Sequence, residues 1–162
     1  MTTQSHAGHD GADTDANEFV EILSSSLIDP QTQRWLQTCL TTLCAHAAPK
    51  LRRLTISLVD DAAMQVLHTR HMNDPTTTDV LTFADGEQVD VAVCVCEATR
   101  RSAEMGHALQ RELLLYCLHG LLHAVGFDDR TPLDYARMHA EEDRLLAVIG
   151  VQATFAPEGG GA

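Results

Sequence analysis

Residues 109–125, LQRELLLYCLHGLLHAV, constrain the fold more than any other part of the sequence. Placed on a helix, they are apolar on nearly every side. A helix of this kind is typical of a protein interior, since no face of it is suited to water. We therefore predict a buried central helix that other elements cover on several sides.

The remaining hydrophobic periodicity predicts strands and helices in the order β-α-β-α-β-β-α-α-α. This order indicates an α+β fold, a single domain with a mixed, mostly parallel four-stranded sheet packed with about five helices. The predicted elements are a strand in EFVEIL, a helix from Asp29 or Pro30, a strand in RRLTISLV, a helix from Asp60 or Asp61 through Met72, strands in DVLTF and VDVAVCVCE around the turn ADGEQ, and helices from about Glu97 to near Gly106, from Leu109 to Val125 and over 133–149.

The 162 residues fit one domain, which we expect to span residues 18–155. The small, polar tails 1–17 and 156–162 are predicted to be disordered, and His6 and His9 in the first tail to be solvated. The N-terminal residues lack the apolar centre of a signal peptide, and no apolar run is as long as about 18 residues. We therefore expect a cytoplasmic protein with no membrane partner.

The five cysteines lie in apolar segments and show no C-x-x-C spacing, so they are predicted to be reduced and buried. Cys94 and Cys96 are two apart in a strand-like run, which would put them on one strand face, poorly placed to pair with each other.

The net charge of −12 argues against a broad electrostatic attraction to nucleic acid. Contact with RNA would then need a local basic patch. The alternative is that the bases are scattered and solvated, and form no patch. The candidates for such a patch are Lys50, Arg52, Arg53, Arg100, Arg101 and Arg111.

Near the end of the central helix, His119 and His123 are four residues apart and therefore lie on one helix face. Gly126 can end the helix in a left-handed conformation, and the turn can bring Asp129 towards both imidazoles. Two nitrogen ligands and one oxygen ligand leave a fourth position open, which is typical of a catalytic zinc site. Asp128 is the alternative third ligand, and the other aspartate would support the site from outside.

In zinc peptidases a glutamate follows the first histidine and activates water. Gly120 occupies that position here, which disfavours a peptidase. Because glycine costs a helix about 1 kcal/mol relative to alanine, its presence suggests a close approach at this point.

The segment HGLLHAVGFDD, residues 119–129, resembles the H-G-x-L-H-x-x-G-[YF]-D-H signature of the YbeY family of bacterial rRNA maturation factors. PTTTDVLTF, residues 75–83, resembles the family's P-T-D-V-L-S-F, and VDVAVCV resembles its G-D-I-V-I strand. The similarity spans about residues 50–150. Three departures are Asp129 in place of the third signature histidine, Met72 where many members carry an arginine, with Arg70 and His71 close by, and Val89 in place of a glycine.

The resemblance implies a zincin-like metal-binding helix and one Zn²⁺ per chain, held by His119, His123 and Asp129. It implies a metal-dependent, single-strand-specific endoribonuclease acting in maturation of the 3′ end of 16S rRNA and in ribosome quality control. Its partners would be the 16S rRNA precursor, the small ribosomal subunit and its assembly factors, and not DNA. The catalytic residues stay unknown, since no general base is evident.

Two other interpretations are a ribosome-assembly binding protein with a mainly structural metal, and a metallopeptidase or other metal hydrolase. Several further residues have a simpler structural interpretation than a catalytic one. Thr78 and Thr82 flank Asp79, which is as well suited to anchoring a turn as to contacting substrate. His107 and His139 could approach the site from neighbouring helices, but single histidines are more often surface residues, and we expect them there. Met138, Glu141 and Glu142 are expected in core or solvated helix faces.

Overall fold

The computed structural model describes residues 19–23 and 26–152 as four strands and five helices. The elements are β1 Val20–Leu23, α1 Pro30–Ala47, β2 Arg53–Val59, α2 Asp61–Met72, β3 Val80–Asp85, β4 Gln88–Cys94, α3 Val95–Met105, α4 Leu109–Ala124 and α5 Pro132–Val148. Both predicted tails, with His6 and His9, lie outside the described residues, and the domain bounds at 18 and 155 stay a prediction. Within the described part of the chain, the helices are too short or too polar to cross a bilayer.

The strands form one sheet in the order β1-β2-β4-β3. β1 pairs with β2 and β2 with β4 in parallel, whereas β3 runs antiparallel to β4. The β3–β4 connection is tight, since Asp85 pairs with Gln88 and Gly86 adopts a φ of 59°. The structure confirms the predicted single α+β domain with a mixed, mostly parallel sheet.

Strand β4 is buried on both faces of the sheet. Val89, Val91 and Val93 belong to the main core, together with side chains of α1, α4 and α5. Ala92 and Cys94 point the other way and pack with Met64 of α2 in a smaller cluster. This alternation is the two-residue period of a strand, and it explains the long apolar run in the sequence.

Helix α4 occupies the centre of the molecule. It contacts α1, α3, α5, β3 and β4. Its side chains from Leu113 to Leu118 are buried, and so are Leu121 and Leu122. The predicted central helix is therefore confirmed, and its last two turns, which carry the two histidines, are held on several sides.

Helices α1 and α2 start at aspartate caps. Asp29 caps α1 by accepting a hydrogen bond from the Thr32 amide, and Pro30 occupies the first helical position, as predicted. At α2 the cap is Asp60 rather than Asp61, since the Asp60 carboxylate accepts the amide of Ala63.

The predicted boundary between β4 and α3 is wrong. The strand ends at Cys94 and the helix begins at Val95 rather than near Glu97. Cys96 is therefore helical, so it does not share a strand face with Cys94. No side chain caps this helix start, and the apolar run continues through it, so the sequence carries no signal at the junction. The five cysteines are free thiols, with Cys39 and Cys96 partly exposed.

Candidate metal centre

The last turns of α4 direct two imidazoles at one point. His119 and His123 lie one turn apart, and their Nε2 atoms are 3.0 Å apart. Their rings are nearly perpendicular, with centroids 4.6 Å apart. The two nitrogens converge as the sequence spacing predicts.

The turn after α4 brings the carboxylate of Asp129 to the same point. Gly126 has a φ of 104°, and the Phe127 amide donates to the carbonyl of Leu122, which closes the helix end and reverses the chain. Oδ2 of Asp129 then lies 3.4 Å from Nε2 of His119 and 3.8 Å from Nε2 of His123. Glycine is needed at position 126 because residues with a side chain rarely adopt this positive φ.

These three separations fit a tetrahedral metal ion. Ligand atoms of His119, His123 and Asp129 lie within 4.8 Å of one another. With bonds of 2.0 to 2.2 Å, tetrahedral zinc holds adjacent ligand atoms about 3.4 Å apart. The measured distances bracket that value, so the residues present suit a small transition-metal ion without rearrangement of the backbone.

Hydrogen bonds at the opposite ring nitrogens orient both imidazoles. Nδ1 of His119 is 2.7 Å from Oε1 of Glu142, and Nδ1 of His123 is 3.1 Å from the Phe127 carbonyl oxygen. A carboxylate and a carbonyl only accept, so each Nδ1 donates its proton. In the neutral rings the lone pairs are therefore on the Nε2 atoms, which face each other and Asp129.

The charges around His119 alter its protonation. Burial lowers the pKa of His119, but the hydrogen bond to Glu142 and the negative charges of Glu142 and Asp129 raise it, and the net shift is upward. The site is therefore electronegative and favours a cation, whether a proton or a metal ion.

Asp128, the alternative third ligand, is engaged elsewhere. Its Oδ1 accepts the amide of Asp129, and its Oδ2 pairs with Arg130 at 2.6 Å. The Arg130 guanidinium lowers the pKa of Asp128 to about 2. The structure thus brings Asp129 to the histidines and turns Asp128 towards solvent and Arg130.

The glycine between the histidines has a steric cause. A Cβ at Gly120 would lie 2.5 Å from Cγ1 of Val91 and 2.9 Å from Oγ1 of Thr82. Oγ1 of Thr82 also donates a hydrogen bond to the Gly120 carbonyl, at 3.1 Å. A glutamate at this position would be driven into the sheet, so the peptidase arrangement does not fit this fold.

A cleft of about 580 Å³ opens beside His119 between α3, α4 and α5. We call it the α4 cleft. It is lined by side chains of both charge signs and by two tyrosines, among them Asp79, Glu97, Arg101, Tyr116 and Tyr135. His107 lies at its far end, 2.5 Å from the buried Glu112. Its size is within the range of small-molecule sites.

Two predictions about the histidines near this cleft are wrong. His107 and His139 are not surface residues, since their side chains are 13% and 12% exposed and both line the α4 cleft. Their glutamate partners are buried, and a hydrogen bond to a buried carboxylate holds each ring in the cleft wall.

Glu142 contacts the candidate site, and the sequence analysis does not predict this contact. It is fully buried, and it joins His139 to His119. Met138 is buried as expected. The available signal was the stripe of α5: Glu142 is spaced at helical intervals with Met138, Leu145 and Leu146, and an acid in such an apolar stripe indicates a buried, paired charge.

The segment PTTTDVLTF, residues 75–83, contacts α4 through the hydrogen bond from Thr82 to Gly120. Asp79 lines the α4 cleft, but its Oδ1 accepts the amide of Val80 and the hydroxyl of Thr78, which is the turn-anchoring role. Met72 is 63% exposed at the end of α2. Nearby, the ring of His71 packs against Phe83, with centroids 4.6 Å apart.

The arginines considered for a basic patch form local contacts. The arginines of the candidate set are engaged locally: Arg52 with Glu87, Arg53 with Glu21, Arg100 with Asp61 and Glu97, Arg101 with Glu104, and Arg111 with the carbonyl of Gln152. Arg53 lies at the start of β2, whereas Arg100 pairs with Asp61, which follows the end of β2. Because a seven-residue strand is about 20 Å long, these two arginines are held at opposite ends of the strand. These contacts and this separation favour the interpretation that the bases are scattered.

Comparison with known proteins identifies relatives over most of the chain. A family model described as endoribonuclease YbeY matches residues 19–150. An endoribonuclease YbeY of Thermobifida fusca is 31% identical over 142 residues, covering 79% of this chain and 92% of that protein. One of Acidothermus cellulolyticus is 33% identical over 152 residues, covering 83% and 87%.

A solved structure has the same fold. The solution structure of TM1509 from Thermotoga maritima superimposes with a TM-score of 0.59 at 18% sequence identity. The match covers 89% of this chain and all of that one. The arrangement of sheet and helices is therefore one already observed in solution.

Proposed function

The chain belongs to the YbeY endoribonuclease family, and on that premise we propose that it is a zinc-dependent, single-strand-specific endoribonuclease. Its substrate would be the precursor of 16S rRNA, cut during maturation of the 3′ end, with a further role in ribosome quality control. The observation that carries the proposal is the convergence of two imidazoles and one carboxylate in a chain of this family.

We propose that His119, His123 and Asp129 hold one Zn²⁺ per chain. A divalent cation held by this donor set supplies a Lewis acid that can offset negative charge developing on a phosphoryl group. Two neutral nitrogens and a single carboxylate leave part of the ionic charge uncompensated, which suits an anionic substrate.

The chain's own residues provide orientation and access. Glu142 and the Phe127 carbonyl fix the two rings, so that their Nε2 atoms face Asp129. The α4 cleft adjoins His119 and offers room for a nucleotide beside the scissile bond. The general base and the nucleophile are left unassigned.

The charge of the protein favours a second candidate. The net charge is −12, and the arginines proposed for a basic patch are engaged in local contacts. A protein of this kind is poorly suited to bind RNA alone. It would instead act with assembly factors on the small ribosomal subunit, with a mainly structural metal.

The cytoplasmic location of the protein stays a prediction.

Metal analysis combined with RNA cleavage tests the first candidate. We expect about one zinc per purified chain, and cleavage of a single-stranded RNA that stops when a chelator is added. His123→Ala and Asp129→Asn should lose the metal and the cleavage together. Asp128→Asn is the matched control, because its side chain pairs with Arg130, and it should keep both.

Four results would contradict the proposal. Cleavage that persists unchanged in His123→Ala would belong to a contaminating nuclease. Loss of metal in Asp128→Asn but not in Asp129→Asn would assign the third ligand to the other aspartate. Zinc-dependent hydrolysis of casein without RNA cleavage would favour a peptidase, whereas bound zinc with neither activity would favour the assembly role.

A further inference from the structure

Glu142 lies on a different helix from the predicted metal ligands and is fully buried. Both of its carboxylate oxygens are used. Oε1 is 2.7 Å from Nδ1 of His119, and Oε2 is 2.6 Å from Nδ1 of His139. A buried carboxylate is costly unless it is paired in this way, so the arrangement requires both histidine contacts to be kept.

We propose that Glu142 is a positioning residue that sets the metal affinity of the centre through His119. This inference rests on the metal site proposed above. The Glu142 carboxylate accepts the Nδ1 proton of His119, which keeps the lone pair on Nε2 and holds the ring in place. It also places a negative charge behind the imidazole, which makes Nε2 a stronger donor to a cation.

The two ligand histidines differ in the strength of this support. His123 donates to a backbone carbonyl at 3.1 Å, a neutral partner that no side-chain substitution removes. His119 donates to an ionisable side chain at a shorter distance. A hydrogen bond to a charged acceptor is about twice as strong as a neutral one. The affinity of the site is therefore expected to depend more on Glu142 than on any other residue outside the ligand set.

His139 supports Glu142 in turn. It donates to the second oxygen, and its ring packs edge-on against Tyr135 with centroids 4.0 Å apart. Both side chains line the α4 cleft. The connected residues Tyr135, His139, Glu142 and His119 thus link the cleft wall to the metal centre, with Glu142 as the step that contacts a ligand.

The substitution Glu142→Gln tests the inference directly. Glutamine keeps the size of the side chain but presents one acceptor and one donor, so it cannot accept from both histidines. We expect the Zn²⁺ dissociation constant, measured by competition with a chromophoric chelator, to rise about 10- to 100-fold.

Glu112→Gln is the matched control. Glu112 is the other buried glutamate among the described residues, and it also pairs with a histidine of the α4 cleft, His107. Among the described residues, no hydrogen bond or ion pair joins Glu112 to His119, His123 or Asp129. Its substitution should leave the dissociation constant within about threefold of the unsubstituted protein, so an equal loss in both variants would overturn the inference.

A second measurement does not depend on any variant. In the metal-free protein at a pH where His119 is neutral, nitrogen-detected NMR should find its proton on Nδ1. A proton on Nε2 would overturn the proposal.

If circular dichroism reveals that Glu142→Gln is unfolded, Glu142→Asp is the second variant. It retains the charge but shortens the reach of the side chain, and we expect a smaller loss of zinc affinity.

The outcomes separate this inference from the proposed function. Should the unsubstituted protein bind no Zn²⁺, the proposed metal centre fails. Should it bind Zn²⁺ and Glu142→Gln bind equally well, only the role of Glu142 fails. Neither readout uses RNA cleavage.

Discussion

Two faces of α4 meet opposite requirements. The face that carries Gly120 touches Val80, Thr82 and Val91 so closely that a single added carbon does not fit. On the face that carries His119 and His123, His119 lines the α4 cleft, and hydrogen bonds rather than close packing orient both rings. One helix can therefore serve as the core of the fold and as the base of a site.

This difference predicts which property each substitution changes. On the sheet-facing side, a larger residue should lower the free energy of unfolding. On the cleft-facing side, loss of a hydrogen-bond partner should weaken metal binding while the fold persists. Measuring both properties for each variant shows whether the two faces are independent.

The largest effect is expected for Gly120→Glu, which recreates the H-E-x-x-H arrangement of zinc peptidases. The carboxylate would be driven among Val80, Thr82 and Val91 without a cationic partner. An unpaired buried charge costs about 3 to 5 kcal/mol, and the steric overlap adds to it. We expect no cooperative thermal transition and no peptidase activity.

Gln110→Glu serves as the control, since Gln110 is exposed on the same helix and should tolerate the change. A folded Gly120→Glu protein that binds zinc and hydrolyses casein would break the comparison. It would mean that the sheet-facing side can open to admit a catalytic side chain.

A smaller effect is expected for Gly120→Ala. Overpacking a core typically costs about 1 to 3 kcal/mol, while alanine recovers about 1 kcal/mol of helix propensity. Because the overlap with Val91 and Thr82 is severe, we expect net destabilisation of about 1 to 2 kcal/mol in urea unfolding. The zinc dissociation constant should change less than threefold.

The exposed Gln110→Ala is the control for propensity alone and should be neutral or slightly stabilising. A Gly120→Ala variant of unchanged stability that loses zinc affinity would contradict the separation of the faces.

The convergence of His119, His123 and Asp129 could be predicted from the sequence because the determining geometry is local. Spacing of four on a helix aligns His119 with His123, and Gly126 ends the helix where the chain must turn. The sequence leaves Asp128 as an alternative to Asp129, since both follow the same turn. In the structure Asp128 pairs with Arg130, which favours Asp129 as the third ligand.

The role of Glu142 could not be read in the same way. Its contact with His119 joins residues 23 apart in sequence, across two helices. Periodicity reports which face of a helix is buried, but not which residue of another helix lies opposite. The end of β4 was missed for a different reason, because Val95 continues an apolar run that is equally compatible with strand and helix.

The smallest expected effect is on thiol reactivity, at the side of α4 that faces away from the α4 cleft and from the proposed metal ligands. Cys117 precedes His119 by two residues, about 200° around the helix, and is fully buried near Cys44 of α1. Burial raises the pKa of each of these thiols to about 12. At pH 8 the reactive thiolate is then only about one part in 10⁴.

Cys39 and Cys96, which are partly exposed, should react with iodoacetamide in the native protein, while Cys44 and Cys117 should react only after unfolding. Zinc should not alter this pattern. A thiol with a raised pKa stays protonated at lower pH, so labelling should increase as the pH rises. Rapid labelling of Cys117 at pH 8 in folded protein would mean that this side of α4 opens and is not permanently packed.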